Sequence, residues 1–209
     1  DNSQTSSLVA GGVYNPVILK RFTPVWNGIE QLQIALPFYK KLENKLQQKF
    51  DIKFETKKAF KSIEDQNNWF AASDKIRLSD FMNPNIEHKK HNGVIADFGF
   101  GKLRGTGRID TKKLIDTYRE FLQKEEKIRN QKFEYNQIEF LGNTVSYQDI
   151  TAKRIVFCEG FGVLQNPFFK EYPLKEAKGE LITIHAPELN IDFLLKSALF
   201  VLPLGNNYY

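Results

Sequence analysis

Cysteine is almost missing from this chain: its 209 residues include a single one, Cys158, alongside one methionine and three histidines. A lone thiol cannot close an internal disulfide, so a stapled secreted scaffold and a CxxC redox pair are both excluded. A reducing, cytoplasmic setting is the expectation. Long apolar runs are missing too. The longest, from Phe193 to Leu204, is broken by Lys196 and Ser197, and falls short of the roughly 18 apolar residues that cross a bilayer. Asp1, Asn2, Ser3, Gln4, Thr5, Ser6 and Ser7 supply neither the basic nor the apolar part of a signal peptide. With Asp rather than Met in first place, the chain is expected to be processed or cut from something longer.

Aromatic residues are plentiful. Phe alone occurs 18 times and aromatics make up 13% of the chain, which argues for a core able to offset the entropy of ordering and against disorder. Thirty Lys and Arg face 25 Asp and Glu, for a net charge of +5. The basic residues are scattered as Lys40/Lys41, Lys57/Lys58, Lys89/Lys90 and Lys112/Lys113, mostly beside acids. That distribution describes solvated surface rather than a nucleic-acid face.

Apolar residues at Ile29, Leu32, Leu36, Tyr39, Leu42 and Leu46 recur in steps of three and four and predict one long helix, which Pro37 should kink or divide. Ser62-Ile63-Glu64-Asp65 has the form of a capping box opening a helix through Trp69 to Ala72. Asp110 or Thr111 caps a third helix, with Leu114, Tyr118, Phe121 and Leu122 as its buried stripe. Strands are predicted over 53–60, 93–100, 133–140, 154–158, 180–185 and 198–202, rich in Phe, Ile and Val between Gly, Asn and Pro. Their order, without strict βα alternation, predicts an α+β fold with a mainly antiparallel sheet and flanking helices. Gly205-Asn206-Asn207 reads as a hairpin turn, with Tyr208-Tyr209 opening a returning strand that the sequence does not complete.

Several segments bear on chemistry. In Ser6-Ser7-Leu8-Val9-Ala10-Gly11-Gly12 two hydroxyls precede small residues that let backbone approach a flat or phosphorylated ligand, although a plain glycine turn explains them equally. The run Gly99 to Gly107 is neither GxGxxG nor a P-loop and reads as a strand-to-helix connection in which Gly107, Asp110 and Thr111 set up the helix. Cys158-Glu159-Gly160-Phe161-Gly162 follows an apolar run, suiting either a ligand crevice or a simple turn. Cys158 itself reads as a buried filler, because no basic neighbour lowers its pKa. His88 and His91 read as surface residues, no metal site is expected, and His185 has no adjacent acid to support a triad. Arg21 and Lys178 are candidate anion anchors.

In this order, Ser6-Ser7 with Ala10-Gly11-Gly12 and Asn15-Pro16, Gly107-Arg108-Ile109-Asp110-Thr111, Ile155 to Gly162 and Lys178-Gly179-Glu180-Leu181 resemble the flavin-dependent amine oxidoreductases of the D-amino-acid oxidase type, with glycine oxidase and sarcosine oxidase. The resemblance implies FAD beside Ser6, Ser7, Ala10, Gly11 and Gly12, with Glu159, Gly160 and Gly162 near the dinucleotide. It implies oxidation of the C–N bond of a small amine or amino acid by hydride transfer to the flavin. Arg21 and Lys178 would hold the substrate's anionic group.

The resemblance also implies a division into 1–50, a partial FAD-binding segment with helices; 51–150, a substrate-binding lobe; 151–175, a second partial FAD-binding segment; and 176–209, the truncated end of the lobe. No GxGxxG fingerprint with a downstream acid occurs in the 209 residues. The chain is therefore expected to be an internal portion of such an enzyme, inactive and without FAD by itself. The rival expectation is a non-catalytic α+β ligand-binding or interaction module derived from the same lobe.

Overall fold

Glu43 shows how the chain is tied together. It is 5% exposed near the end of a long helix, and its carboxylate accepts the backbone N–H groups of Phe50 at 2.9 Å and Asp51 at 3.1 Å. Burial alone would raise its pKa; the two backbone donors and the Lys49 ammonium outweigh burial and hold it at about 2. The helix end and the next strand are thereby fixed to each other.

The computed structural model describes residues 5–175 and 177–209; residues 1–4, where no signal sequence is read, lie outside the described residues. The chain forms helix α1 (Ser6–Val9), strands β1 (Val13–Tyr14), β2 (Val17–Ile18) and β3 (Thr23–Pro24), helix α2 (Gly28–Leu46), and strands β4 (Asp51–Lys53) and β5 (Thr56–Ala59). Then come α3 (Ile63–Ser73), β6 (Met82–Glu87), β7 (Phe100–Leu103), β8 (Gly107–Ile109) and α4 (Thr111–Lys124). The remainder is β9 (Ile138–Leu141), β10 (Thr144–Tyr147), β11 (Ile150–Ala152), β12 (Leu194–Lys196) and β13 (Phe200–Val201).

The fold is α+β, as the sequence predicts. A five-stranded sheet in the order β13-β12-β5-β7-β6 is antiparallel except where β12 runs parallel to β5. A second sheet, β1-β8-β4, and a third, β11-β10-β9, are wholly antiparallel. Trp69, Phe60, Leu78, Met82 and Leu103 form the principal core, joined by Phe22 from the β2–β3 hairpin. A second core gathers Phe100, Ile191, Phe193, Leu195 and Tyr209.

The three predicted helices form. Ser62 Oγ accepts the Asp65 N–H at 3.1 Å, and Asp110 caps α4 by accepting the Lys113 N–H at 3.1 Å. Pro37 does not divide α2, which runs unbroken through it; a proline there removes one helical N–H without ending the helix. The stripe predicted on α4 is half-buried rather than buried, and Tyr118 is 37% exposed.

The strands are shorter than the apolar runs. The run 53–60 splits into β4 and β5, which enter different sheets. The run 93–100 contributes only Phe100 to a strand, and a one-turn helix at Tyr135–Gln137 occupies the middle of 133–140. Neither 154–158 nor 180–185 forms a ladder beyond a single bridge at His185 to Tyr208. Without a ladder beside it, Cys158 is exposed, contrary to its reading as a filler. The turn at Gly205-Asn206-Asn207 forms, with φ of +51° and +61° at the two asparagines, the left-handed pair that a tight hairpin turn uses.

Candidate functional site

The glycine-rich N-terminal segment and the start of α4 meet. Gly12 O accepts the Ile109 N–H at 2.9 Å, and Thr111 Oγ1 donates to Ala10 O at 3.4 Å. Beside this junction runs an open groove of about 450 Å³, walled on one side by β1 and Pro16 and on the other by Leu32, Leu36 and Tyr39 of α2. Those α2 residues belong to the stripe recognised in the sequence, and they stay half-buried because the groove lies open over them. Its volume falls in the usual range for small-molecule sites, roughly 300–1,000 Å³.

Polar chemistry at the groove comes from Tyr14. Its hydroxyl donates to Asp51 Oδ1 at 2.7 Å and accepts from Lys53 Nζ at 2.6 Å. Burial, with the Asp51 carboxylate, raises the phenol's pKa against the opposing Lys53 ammonium, so Tyr14 remains protonated. Gly107 makes room for it: a Cβ there would stand 2.3 Å from Tyr14 Oη.

The two glycines of the N-terminal segment serve different ends. Gly12 has φ of +66°, and a Cβ at that position would lie 1.9 Å from the Ile109 carbonyl oxygen, so its missing side chain accommodates the chain's own backbone. Gly12→Ala is expected to cost roughly 2 kcal/mol through overpacking and left-handed strain. Urea unfolding checks this, and a loss below about 0.5 kcal/mol would mean that the crossing relaxes freely. Gly11 is half-buried, and among the described residues a Cβ there would meet only Leu202 Cδ2 at 3.4 Å and Val13 Cγ2 at 3.8 Å. Ser6, Ser7 and Ala10 are exposed. A flat group beside Gly11, with phosphates toward the serines, is compatible with this exposed face; Gly12 is already committed to packing.

The other predicted site residues lie elsewhere. Among the described residues, no hydrogen bond or ion pair joins Glu159, Gly160 or Gly162 to the N-terminal segment. Glu159 accepts the Tyr135 hydroxyl and, at 2.8 Å, the side-chain amide of fully buried Asn166, within an aromatic group of Phe133, Phe157 and Phe168. Gly160 has φ of +56° with open space around it. Arg21 is exposed in the β2–β3 hairpin, and Lys178 is exposed and paired with Glu180 at 2.6 Å. Neither lines the groove.

A charged cluster that the sequence reading did not anticipate sits on the five-stranded sheet. Lys57 Nζ, 6% exposed as a residue, donates to Glu87 Oε1 at 2.8 Å. Lys102 Nζ meets Glu87 Oε2 at 2.5 Å, and His91 Nε2 lies 3.0 Å from Glu87 Oε1. Burial would raise the Glu87 pKa; hydrogen bonds from Lys102, Lys57 and His91 outweigh it and hold it at about 2. A carboxylate so committed is a fixed anion, not a proton acceptor near neutrality. His91, read as a surface residue, instead packs edge-on against Phe193 and Phe100. The available signal was the Lys57-Lys58 pair inside a strand-like run, since buried lysines require partners.

No helix among the described residues is long and apolar enough to cross a membrane. No known protein-family model matches the chain, and no solved structure matches it.

Proposed function

We propose that this chain is part of a flavin-dependent oxidoreductase that oxidises the C–N bond of a small amine or amino acid in the cytoplasm. The observation that carries the reading is the meeting of Ala10-Gly11-Gly12 with Gly107 to Thr111 beside the groove, which joins two of the four segments of the resemblance. FAD, when bound, supplies the two-electron acceptor. Ser6 and Ser7 offer hydroxyls toward its phosphates, while Ala10 and Gly11 present backbone with little side chain. Leu32, Leu36 and Tyr39 give the groove an apolar wall, and such a wall keeps an amine neutral and limits water. Glu159, Gly160 and Gly162 belong to this reading as a second dinucleotide contact, and Arg21 and Lys178 as substrate anchors.

A polypeptide joining these residues to a dinucleotide-binding fingerprint is expected to purify with flavin absorbance. That absorbance should bleach anaerobically with glycine, sarcosine or a D-amino acid. Bound flavin that none of these amines bleaches would overturn the substrate class. The 209 residues alone are expected to retain little or no FAD, and stoichiometric flavin on them would contradict that expectation.

A further inference from the structure

Helix α2 carries apolar side chains on two sides. Leu32, Leu36 and Tyr39 wall the groove, whereas Ile34 and Phe38, one turn apart on the outward side, are 75% and 55% exposed. Trp26, 80% exposed, stands just before the helix, where its carbonyl accepts the Gln31 side-chain amide at 3.0 Å. Ile76 joins the same face. It is 92% exposed, and the neighbouring Arg77 guanidinium donates at 2.9 Å to Glu30 Oε1, one turn before Ile34. Leu19 and Phe22 share a core with Ala72 and Leu78, which brings the tip of the β2–β3 hairpin, with Lys20, alongside that turn.

We propose that this face is a docking surface for an anionic lipid bilayer, with Trp26, Ile34, Phe38 and Ile76 inserting among the headgroups. Exposed apolar patches mark either protein or membrane contacts, and two features choose the membrane. Side chains this exposed project singly and line no hollow, so they suit a medium that yields around them rather than a partner of fixed shape. The Glu30–Arg77 ion pair, exposed on both partners, sits within the patch. The core of a protein interface is depleted of charge, whereas the wet headgroup layer keeps such a pair hydrated.

Charge completes the match. Lys20, Lys41, Lys75 and Arg77 are exposed on these segments, against Glu30 and Asp74. The positive excess complements anionic headgroups, where each lysine or arginine near the surface strengthens binding roughly fivefold. A tryptophan ring, apolar with one polar N–H, belongs at that boundary. The inference does not rest on the flavin reading, because the groove lies along the other side of α2.

The test is co-sedimentation of the 209-residue chain with vesicles of equal parts phosphatidylglycerol and phosphatidylcholine, compared with phosphatidylcholine alone. Partition onto the anionic vesicles should be stronger, and tryptophan emission should shift to the blue. Trp69, the other tryptophan, is fully buried, so the shift reports Trp26. Ile34→Glu with Ile76→Glu, both at exposed positions, should lower partition at least roughly tenfold with an unchanged urea midpoint, and Lys41→Gln roughly fivefold. No partition, equal partition onto neutral vesicles, partition unchanged by these substitutions, or bound protein with unshifted emission would overturn the proposal. Dimerisation through the same residues without vesicle binding would also overturn it, and would assign the face to a second copy of the chain.

Discussion

Trp69→Ala is expected to lower the unfolding free energy by about 3–5 kcal/mol, the range for removing a buried aromatic without full collapse of the space. Trp69 is fully buried and takes the rings of Phe22 and Phe60 edge-on at 5.6 and 5.5 Å. Its Nε1 donates to Asn83 O at 2.8 Å, so the truncation also strips a partner from a backbone carbonyl. The sheet is built around this ring. A Cβ on Gly101 in β7 would lie 2.6 Å from Trp69 Cε2 and 2.7 Å from Phe60 Cζ, which is why glycine occupies a buried strand position where it otherwise weakens pairing. A domain at the lower end of the usual range of about 5–15 kcal/mol would be left partly unfolded. Urea denaturation followed by far-UV circular dichroism measures the loss. The other tryptophan, Trp26, is 80% exposed, so the fluorescence change on unfolding should almost vanish in the variant. A loss under about 1 kcal/mol would show that the surrounding core closes over the gap.

The helices were legible because each carries its own signals. Ser62 and Asp110 are local caps, and the α2 stripe repeats over five turns' worth of apolar residues from Ile29 to Leu46. Strand extents were less legible because pairing is decided by distant residues. β6 contains Pro84 and two asparagines, nothing like a strand by composition, yet it pairs with β7 across a register shift between Met82 and Ile86. β12 carries only Leu194, Leu195 and Lys196 and gains its place by running parallel to β5 more than a hundred residues earlier. Conversely, Ile155, Val156 and Phe157 have strand composition but no ladder among the described residues, and Val156 is 79% exposed.

The candidate site follows the same division. Gly11 and Gly12 stand out in sequence, but the contact with Ile109 that explains Gly12 lies almost a hundred residues away. Tyr14, Asp51 and Lys53 converge only because β1 and β4 flank β8. Glu87 and His91 sit in a polar, lysine-rich stretch that reads as solvated surface. Their burial depends on β7 and on Phe193.

Glu87→Gln is expected to cost about 3 kcal/mol at neutral pH, the lower end of the penalty for leaving a buried charge without its partner. Lys57 bears most of this loss. Its side chain is 7% exposed and, among the described residues, would keep Glu55 as its one carboxylate, at 3.5 Å and 41% exposed, besides His91 Nε2 at 3.4 Å and the Phe193 ring at 4.2 Å. Lys102 is 31% exposed and is partly relieved by water and by Glu55 at 3.7 Å. A glutamine still accepts hydrogen bonds but carries no charge to set against two ammoniums. The pH dependence separates this electrostatic loss from simple misfit. Folded Glu87 titrates at about 2, below its ordinary value of 4.5. Its contribution is therefore complete above the unfolded value and is lost as the pH falls toward the folded one. Glu43 and Asp149 are depressed in the same way, so acid unfolding of the parent chain alone would not isolate Glu87. The difference between parent and variant does. Measured by urea titration at a series of pH values, that difference should be largest near neutrality and narrow by more than half by about pH 3. A difference that stays constant from neutral pH down to about pH 3 would mean that shape, not charge, makes Glu87 necessary at the end of edge strand β6.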